Sequence, residues 1–116
     1  MHALLAAALN SLRGLSHAAA SERAVRQELW TLALSLPAVL LIATDRWTGI
    51  AMVASLLLVL GVELLNTGLE KLCDHVHPAR HPVIGRIKDM GSAAVLCALL
   101  VAGLVWGAAL LQRVGF

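Results

Sequence analysis

Glu63, Asn66, Thr67, Glu70 and Asp74 recur at steps of three and four at the end of an apolar run. At about 100° per residue they fall within one helical arc of roughly 100°. Gly61, Leu65, Gly68 and Leu72 occupy the opposite side. Carboxylates in such a stripe can take the proton from a weak nucleophile such as a hydroxyl. They can also hold a hard divalent cation. The run before them, Gly49 to Val62, reads as a membrane-spanning helix. An acid at the centre of such a helix costs about 3 kcal/mol. Acids found there therefore face a partner, a polar cavity or a reaction site.

The other segments must position that stripe. Of the 116 residues, 59% are hydrophobic and 14% charged, too little charge for a soluble domain of this length. The composition implies an all-α membrane protein with a single domain over residues 1–116. A chain this small cannot enclose a sizeable site alone, so self-association is expected. Net charge is +2, with no basic tract interleaved with aromatics, which argues against nucleic acid. Cys73 and Cys97 read as buried small hydrophobes, not a disulfide framework. Met1 to Leu9 lacks the initial basic region of a cleaved signal peptide.

Residues 1–20 carry Leu4, Leu5, Ala8, Leu12 and Leu15 on one face, the pattern of an amphipathic helix lying on a membrane surface. Ser21 is expected to cap the next helix, with Glu22 in its first turn. The first span is placed at 28–44, bent at Pro37. Thr44 to Thr48 permits only an antiparallel hairpin, with Trp47 as an interfacial anchor. The second span is placed at 49–72 and the third at 90–111. Ala94, Ala98 and Ala102 would let the third pack closely. Between these two spans, Pro78 and Pro82 mark a basic loop over 75–88.

Arg13, Arg23, Arg26, Lys71, Arg80, Arg86 and Lys88 fall on one side of this topology, against Arg46 and Arg113 on the other. The positive-inside rule places the N-terminus and the 75–88 loop in the cytoplasm. Glu22 and Glu28, the stripe of the second span, and Lys88 with Asp89 then converge at one depth. Carboxylates beside basic side chains at a cytoplasmic membrane face suit a magnesium–nucleotide site. Gly85-Arg86-Ile87-Lys88 lacks the spacing of a phosphate-binding glycine loop. Lys88 also suits a plain interfacial anchor, and Asp89 a cap of the third span. Glu28 lies about 240° around a continuous helix from Glu22, so the two could not face one ion through a straight helix.

Glu63-Leu64-Leu65-Asn66-Thr67-Gly68-Leu69-Glu70-Lys71-Leu72-Cys73-Asp74, followed by Gly85-Arg86-Ile87-Lys88-Asp89-Met90-Gly91-Ser92-Ala93-Ala94-Val95, resembles the paired signature of the prokaryotic integral-membrane diacylglycerol kinases. Glu22-Arg23-Ala24-Val25-Arg26-Gln27-Glu28 is similar to that family's N-terminal segment, and the likeness runs over about residues 10 to 112. Gln27-Glu28 and the Lys88 to Ser92 form look closer to the Gram-negative enzymes than to the related undecaprenol kinases of Gram-positive bacteria.

The resemblance implies a homotrimeric bundle of three-span subunits in a bacterial inner membrane, with active sites shared between neighbours. It implies transfer of the ATP γ-phosphate, with Mg²⁺, to the hydroxyl of diacylglycerol, giving phosphatidic acid. Glu63 matches the catalytic base, and Glu22 and Glu70 the metal-bridging acids. Asn10, Glu22, Glu70, Arg80, His81, Lys88 and Asp89 fall at nucleotide positions. Arg26, Gln27, Glu28, Glu63, Asn66 and Ser92 fall on the lipid side. The chain departs from the family at Ala3, where an arginine is typical, at Asn10, where an aromatic is usual, and at Ala79-Arg80-His81, where an acidic-aromatic pattern is usual.

Two readings from other classes compete. An ion or proton transporter would also use intramembrane acids, but would carry polar groups through the full depth, and Gly49 to Leu60 contains only Ser55. An assembly subunit would not need acids and bases clustered at one depth. Cys73, His75, His77 and His81 read as loop residues in preference to a transition-metal site, since no orienting partners accompany them.

Overall fold

A computed structural model describes residues 2–116. The chain folds as α1 (His2–Ser21), α2 (Arg23–Ile42), α3 (Arg46–Val76) and α4 (Pro82–Arg113). The last three are long and apolar enough to cross a membrane. At 1.5 Å per residue, α3 extends about 46 Å, more than the roughly 30 Å of bilayer hydrocarbon. Glu63 lies about 25 Å along it from Arg46, and Glu70 about 36 Å. With Arg46 set at one hydrocarbon edge, the stripe would begin near the other and run out beyond it.

The boundaries differ from the sequence expectations in ways the backbone explains. Ser21 ends α1 and does not cap α2; its hydroxyl donates to the His17 carbonyl at 3.0 Å. Glu22 takes the N-cap position in extended conformation (φ −121°, ψ 120°), with no side-chain cap bond. Because Glu22 stands outside α2, the 240° separation from Glu28 no longer applies. The helix that carries the first span starts at Arg23, ahead of residue 28, and continues through Pro37 to Ile42.

The expected loop over 75–88 contracts to His77–His81, since α3 continues to Val76 and α4 opens at Pro82. His81 is extended (φ −145°, ψ 133°), as residues before proline prefer; His77 shares the φ (−147°) but has ψ 86°. Pro82 then suits the first helical turn, where its missing N–H leaves no bond unmade. His81 caps α4, its Nδ1 accepting from the Val83 N–H at 3.1 Å. Asp89, for which capping this span was the competing reading, lies well inside the helix.

Three apolar clusters hold the bundle. Ala18, Val25 and Leu60 join α1, α2 and α3 at one end. Val59, Ala98 and Ala102 join α3 to α4 in the middle. Val39, Met52 and Ala109 close the other end. There Trp106 Nε1 donates to the Met52 carbonyl at 3.1 Å, and the Ser55 hydroxyl donates to the same oxygen at 2.7 Å. The buried row on α4 is Gly91, Ala98, Ala102 and Ala109. Ala94, expected in it, is exposed, because it sits about 60° around the helix from Gly91. Cys73 is buried as expected, whereas Cys97 is exposed; both are free. Leu4, Leu5, Leu12, Leu40 and Leu104 face outward, as lipid-facing helices require.

Asp45 caps α3 at the hairpin, accepting from the Thr48 N–H and the Thr48 hydroxyl, each at 2.9 Å. These bonds hold its carboxyl below the ordinary value of 3.8. The folded state then binds that proton less tightly than the unfolded chain. The cap's contribution is full above the unfolded pKa and is lost as pH falls through the lower folded value. Asp45→Asn keeps the shape and a capping oxygen but not the charge. Thermal melting in detergent is expected to favour wild type near neutrality, with its margin over Asp45→Asn narrowing in acid. A margin unchanged with pH would remove the charge from the account.

Candidate active site

The polar stripe faces inward as its spacing predicts. Asn66 and Thr67 are buried, Glu63 and Glu70 half-buried, and Asp74 exposed at the helix end. Gly61, Leu65, Gly68 and Leu72 are all exposed on the other side. Asn66 Nδ2 donates to Glu70 Oε1 at 3.1 Å, a bond one turn along the same face. Asn66 Oδ1 is buried without a hydrogen-bond partner.

Residues from α2 and the α1–α2 junction complete the cluster. Glu22 lies 3.3 Å from the Lys71 ammonium, which also donates to the Ser21 hydroxyl at 3.3 Å. The break at Glu22 thus pins the end of α1 to α3 next to Glu70. Glu28 carries a buried Oε2 with no hydrogen-bond partner and is close enough to Glu63 for their charges to repel. Glu63 is likewise repelled by Glu70 and Glu22. Among the described residues, ion pairs join Lys71 to Glu22 and Lys88 to Asp74. Glu22, Glu28, Glu63 and Glu70 therefore bring four carboxylates to one end of the bundle, with Lys71 paired to only one of them.

Among the described residues, the remaining expected site residues form no hydrogen bond or ion pair with these four acids, although Lys88 is near enough to Glu70 to feel its charge. The Arg26 guanidinium donates to the Ala19 and Ala20 carbonyls at 2.9 and 3.1 Å, satisfying the end of α1. Gln27 is exposed. Asn10 accepts from Arg13 on the same exposed helix at 3.4 Å. Lys88 is bound to Asp74. Asp89, about 160° around α4 from the Gly91 row, and Ser92 are both exposed. Arg80 and His81 border a cavity of about 470 Å³ with His77, Gly85 and Lys88. The His77 and His81 rings meet edge to face at 5.0 Å.

Two contacts at this end of the bundle escaped sequence reasoning. Lys71 reads as one more cytoplasmic charge, and nothing in its spacing points to Glu22 fifty residues away. Gly91 had a signal: a glycine inside a long helix gives up stability relative to alanine, and it is buried against Asn66.

Among the described residues no three His, Cys, Asp or Glu side chains form a ready metal cage. A magnesium–nucleotide site does not need one, because phosphates and water supply most of the ligands around one or two carboxylates. The unneutralised acids and the orphaned Glu28 oxygen fit a site that takes up positive charge.

The profile of the prokaryotic diacylglycerol kinase family matches residues 9–110. A diacylglycerol kinase of Escherichia coli is 38% identical over 103 residues, 89% of this chain and 84% of its own. That of Haemophilus influenzae is 39% identical over 97 residues, 84% of this chain and 82% of its own. That of Pseudomonas aeruginosa is 40% identical over 101 residues, 87% and 82% respectively.

Proposed function

Because the chain belongs to the prokaryotic diacylglycerol kinase family, we propose that it transfers the ATP γ-phosphoryl group to the hydroxyl of 1,2-diacylglycerol, giving phosphatidic acid. The observation that carries this reading is the inward face Glu63–Asn66–Glu70, joined at one end of the bundle by Glu22 and Glu28. Glu63 lies deepest, near the hydrocarbon edge where a lipid hydroxyl sits, and Glu70 lies outward, where a nucleotide arrives from water.

Glu63 accepts the hydroxyl proton as the lipid oxygen bonds to the γ-phosphorus and the bond to ADP breaks. Asn66, between the two acids, keeps Glu70 oriented. Glu22 and Glu70 would hold Mg²⁺ beside the ATP phosphates. When bound, the ion offsets charge on the phosphoryl oxygens. Lys71 keeps Glu22 facing this end of α3. The excess of Lys and Arg at the same end supports a cytoplasmic location for it and for the N-terminus, with the chain in a bacterial inner membrane.

Asp89 and Ser92 face away from their own α3, so in this reading they serve a neighbouring subunit of a homotrimer. An ion path is disfavoured by α3 itself: Ser55 is the one polar residue between Gly49 and Leu60, and its hydroxyl is already bonded to the Met52 carbonyl.

Purified protein in detergent, given ATP and Mg²⁺, is expected to make phosphatidic acid from diacylglycerol and to consume little ATP without lipid. Undecaprenol is expected to be a poorer acceptor in a side-by-side assay. Equal ATP consumption with and without lipid would overturn the kinase reading; a preference for undecaprenol would move it to the related lipid alcohol.

A further inference from the structure

Gly91 is buried inside α4, nine residues past its first residue, Pro82. A glycine there is less favourable than alanine, so its presence needs a physical reason. Around Gly61, Gly68, Gly85, Gly103 and Gly107 there is open space where a Cβ would stand. At Gly91 a Cβ would overlap Oδ1 of Asn66 and reach within 3.2 Å of Leu69 Cδ2. This is a point of close approach between α4 and the polar face of α3.

The Asn66 amide has no freedom to avoid that overlap by exchanging its ends. Nδ2 is the end that can donate to Glu70, and it does so at 3.1 Å. The reverse orientation would set Oδ1 against a carboxylate oxygen. Oδ1 must therefore point away from Glu70, into the space left by the missing side chain of residue 91, where it has no other partner. Asn66 is 8% exposed, so it cannot swing into solvent. A methyl group at position 91 could be accommodated only by turning the amide, which withdraws Nδ2 from Glu70.

We propose that Gly91 is a positioning residue for phosphoryl transfer: the space left by its absent side chain seats the Asn66 amide, and the amide in turn fixes the Glu70 carboxylate. It touches neither substrate nor reacting atoms. This rests on the reading of Glu70 as an acid of the magnesium–nucleotide site.

The test compares Gly91→Ala, Asn66→Ala and the double variant as full chains in detergent, with thermal melting to verify folding. For each, the Mg²⁺ dependence of kcat and the KM for ATP are measured with diacylglycerol as acceptor. Gly91→Ala is expected to raise the Mg²⁺ needed for half-maximal rate by about 10-fold, the lower end for loss of a group that orients a metal-holding acid. In the Asn66→Ala background the same change should add less than about twofold, because the atom that the methyl strikes is gone. Asn66→Asp, which keeps the shape but replaces the donor with a charge that repels Glu70, should also move the Mg²⁺ requirement without altering packing at residue 91.

An equal further loss from Gly91→Ala in both backgrounds would mean simple helix packing and would overturn the proposal while leaving the Glu70 reading intact. Wild-type magnesium titrations in Asn66→Asp and Asn66→Ala would break the link from the Asn66 amide to Glu70 and overturn the proposal, while the Glu70 reading itself stands or falls with Glu70→Gln. Should Gly91→Ala not fold, Asn66→Asp and Asn66→Ala still decide the link to Glu70. Gly91→Ala on the Asn66→Ala background then reports the clash: recovery of a folded protein supports it, and continued misfolding overturns it.

Discussion

Glu63→Gln is expected to leave a folded, ATP-binding protein whose phosphoryl transfer is roughly 10²–10⁴-fold slower, the contribution of a positioned general base. The lipid hydroxyl is a weak nucleophile, and glutamine keeps the size and polarity of the side chain without accepting the proton. Glu63 is half-buried on the inward face of α3 and shares its surroundings with Glu28, Glu70 and Glu22. Removing its charge therefore relieves repulsion and should not destabilise the fold. Single-turnover transfer at saturating ATP and lipid isolates the chemical step from binding. Glu63→Asp retracts the carboxylate by one methylene and should retain part of the rate. A Glu63→Gln transfer rate within a few-fold of wild type would make Glu63 a structural acid and turn the search to Glu28, the half-buried acid of α2 near it, or to Asp89.

Glu22→Gln and Glu70→Gln are each expected to raise the Mg²⁺ requirement by at least about 10–100-fold, the range that loss of a mere supporting group already produces, or to abolish activity. The two carboxylates reach the same end of the bundle by different routes. Glu70 is held by Asn66 on α3; Glu22 is held by Lys71 from the break between α1 and α2. Glu70→Gln can still accept from Asn66 Nδ2 through its amide oxygen, so its loss reports the missing charge more cleanly than a loss of local structure. Glu22→Gln also weakens the pair with Lys71. That pair is largely exposed and worth little to stability, so melting should move little while the magnesium titration moves much. Magnesium titrations that coincide with wild type in both variants would refute the assignment.

The chain's own residues determined the membrane-spanning helices and the inward face of α3. Apolar runs long enough to cross a bilayer have few alternatives, because backbone groups in hydrocarbon must bond within their own segment. The 3.6-residue period then sets Glu63, Asn66, Thr67 and Glu70 on one side whatever packs against them. The motif from Glu63 to Asp74, with Gly85 to Val95, was likewise legible as a family signature.

What the sequence left undecided depended on contacts between segments. Local capping preference favoured Ser21 as the start of α2, but the chain breaks one residue later, where Glu22 can reach Lys71 and Arg26 can satisfy the last carbonyls of α1. Two prolines predicted a long loop, yet Pro82 opens a helix because its geometry suits the first turn, and only His77–His81 stays irregular. The alanine row was visible, but which members are buried followed from the side of α4 that meets α3, and this excluded Ala94 in favour of Gly91 and Ala109. Spacing along one helix decides which residues share a face. Only the packed bundle decides which atom on a neighbouring helix that face meets, and at Gly91 that atom is the amide oxygen of Asn66.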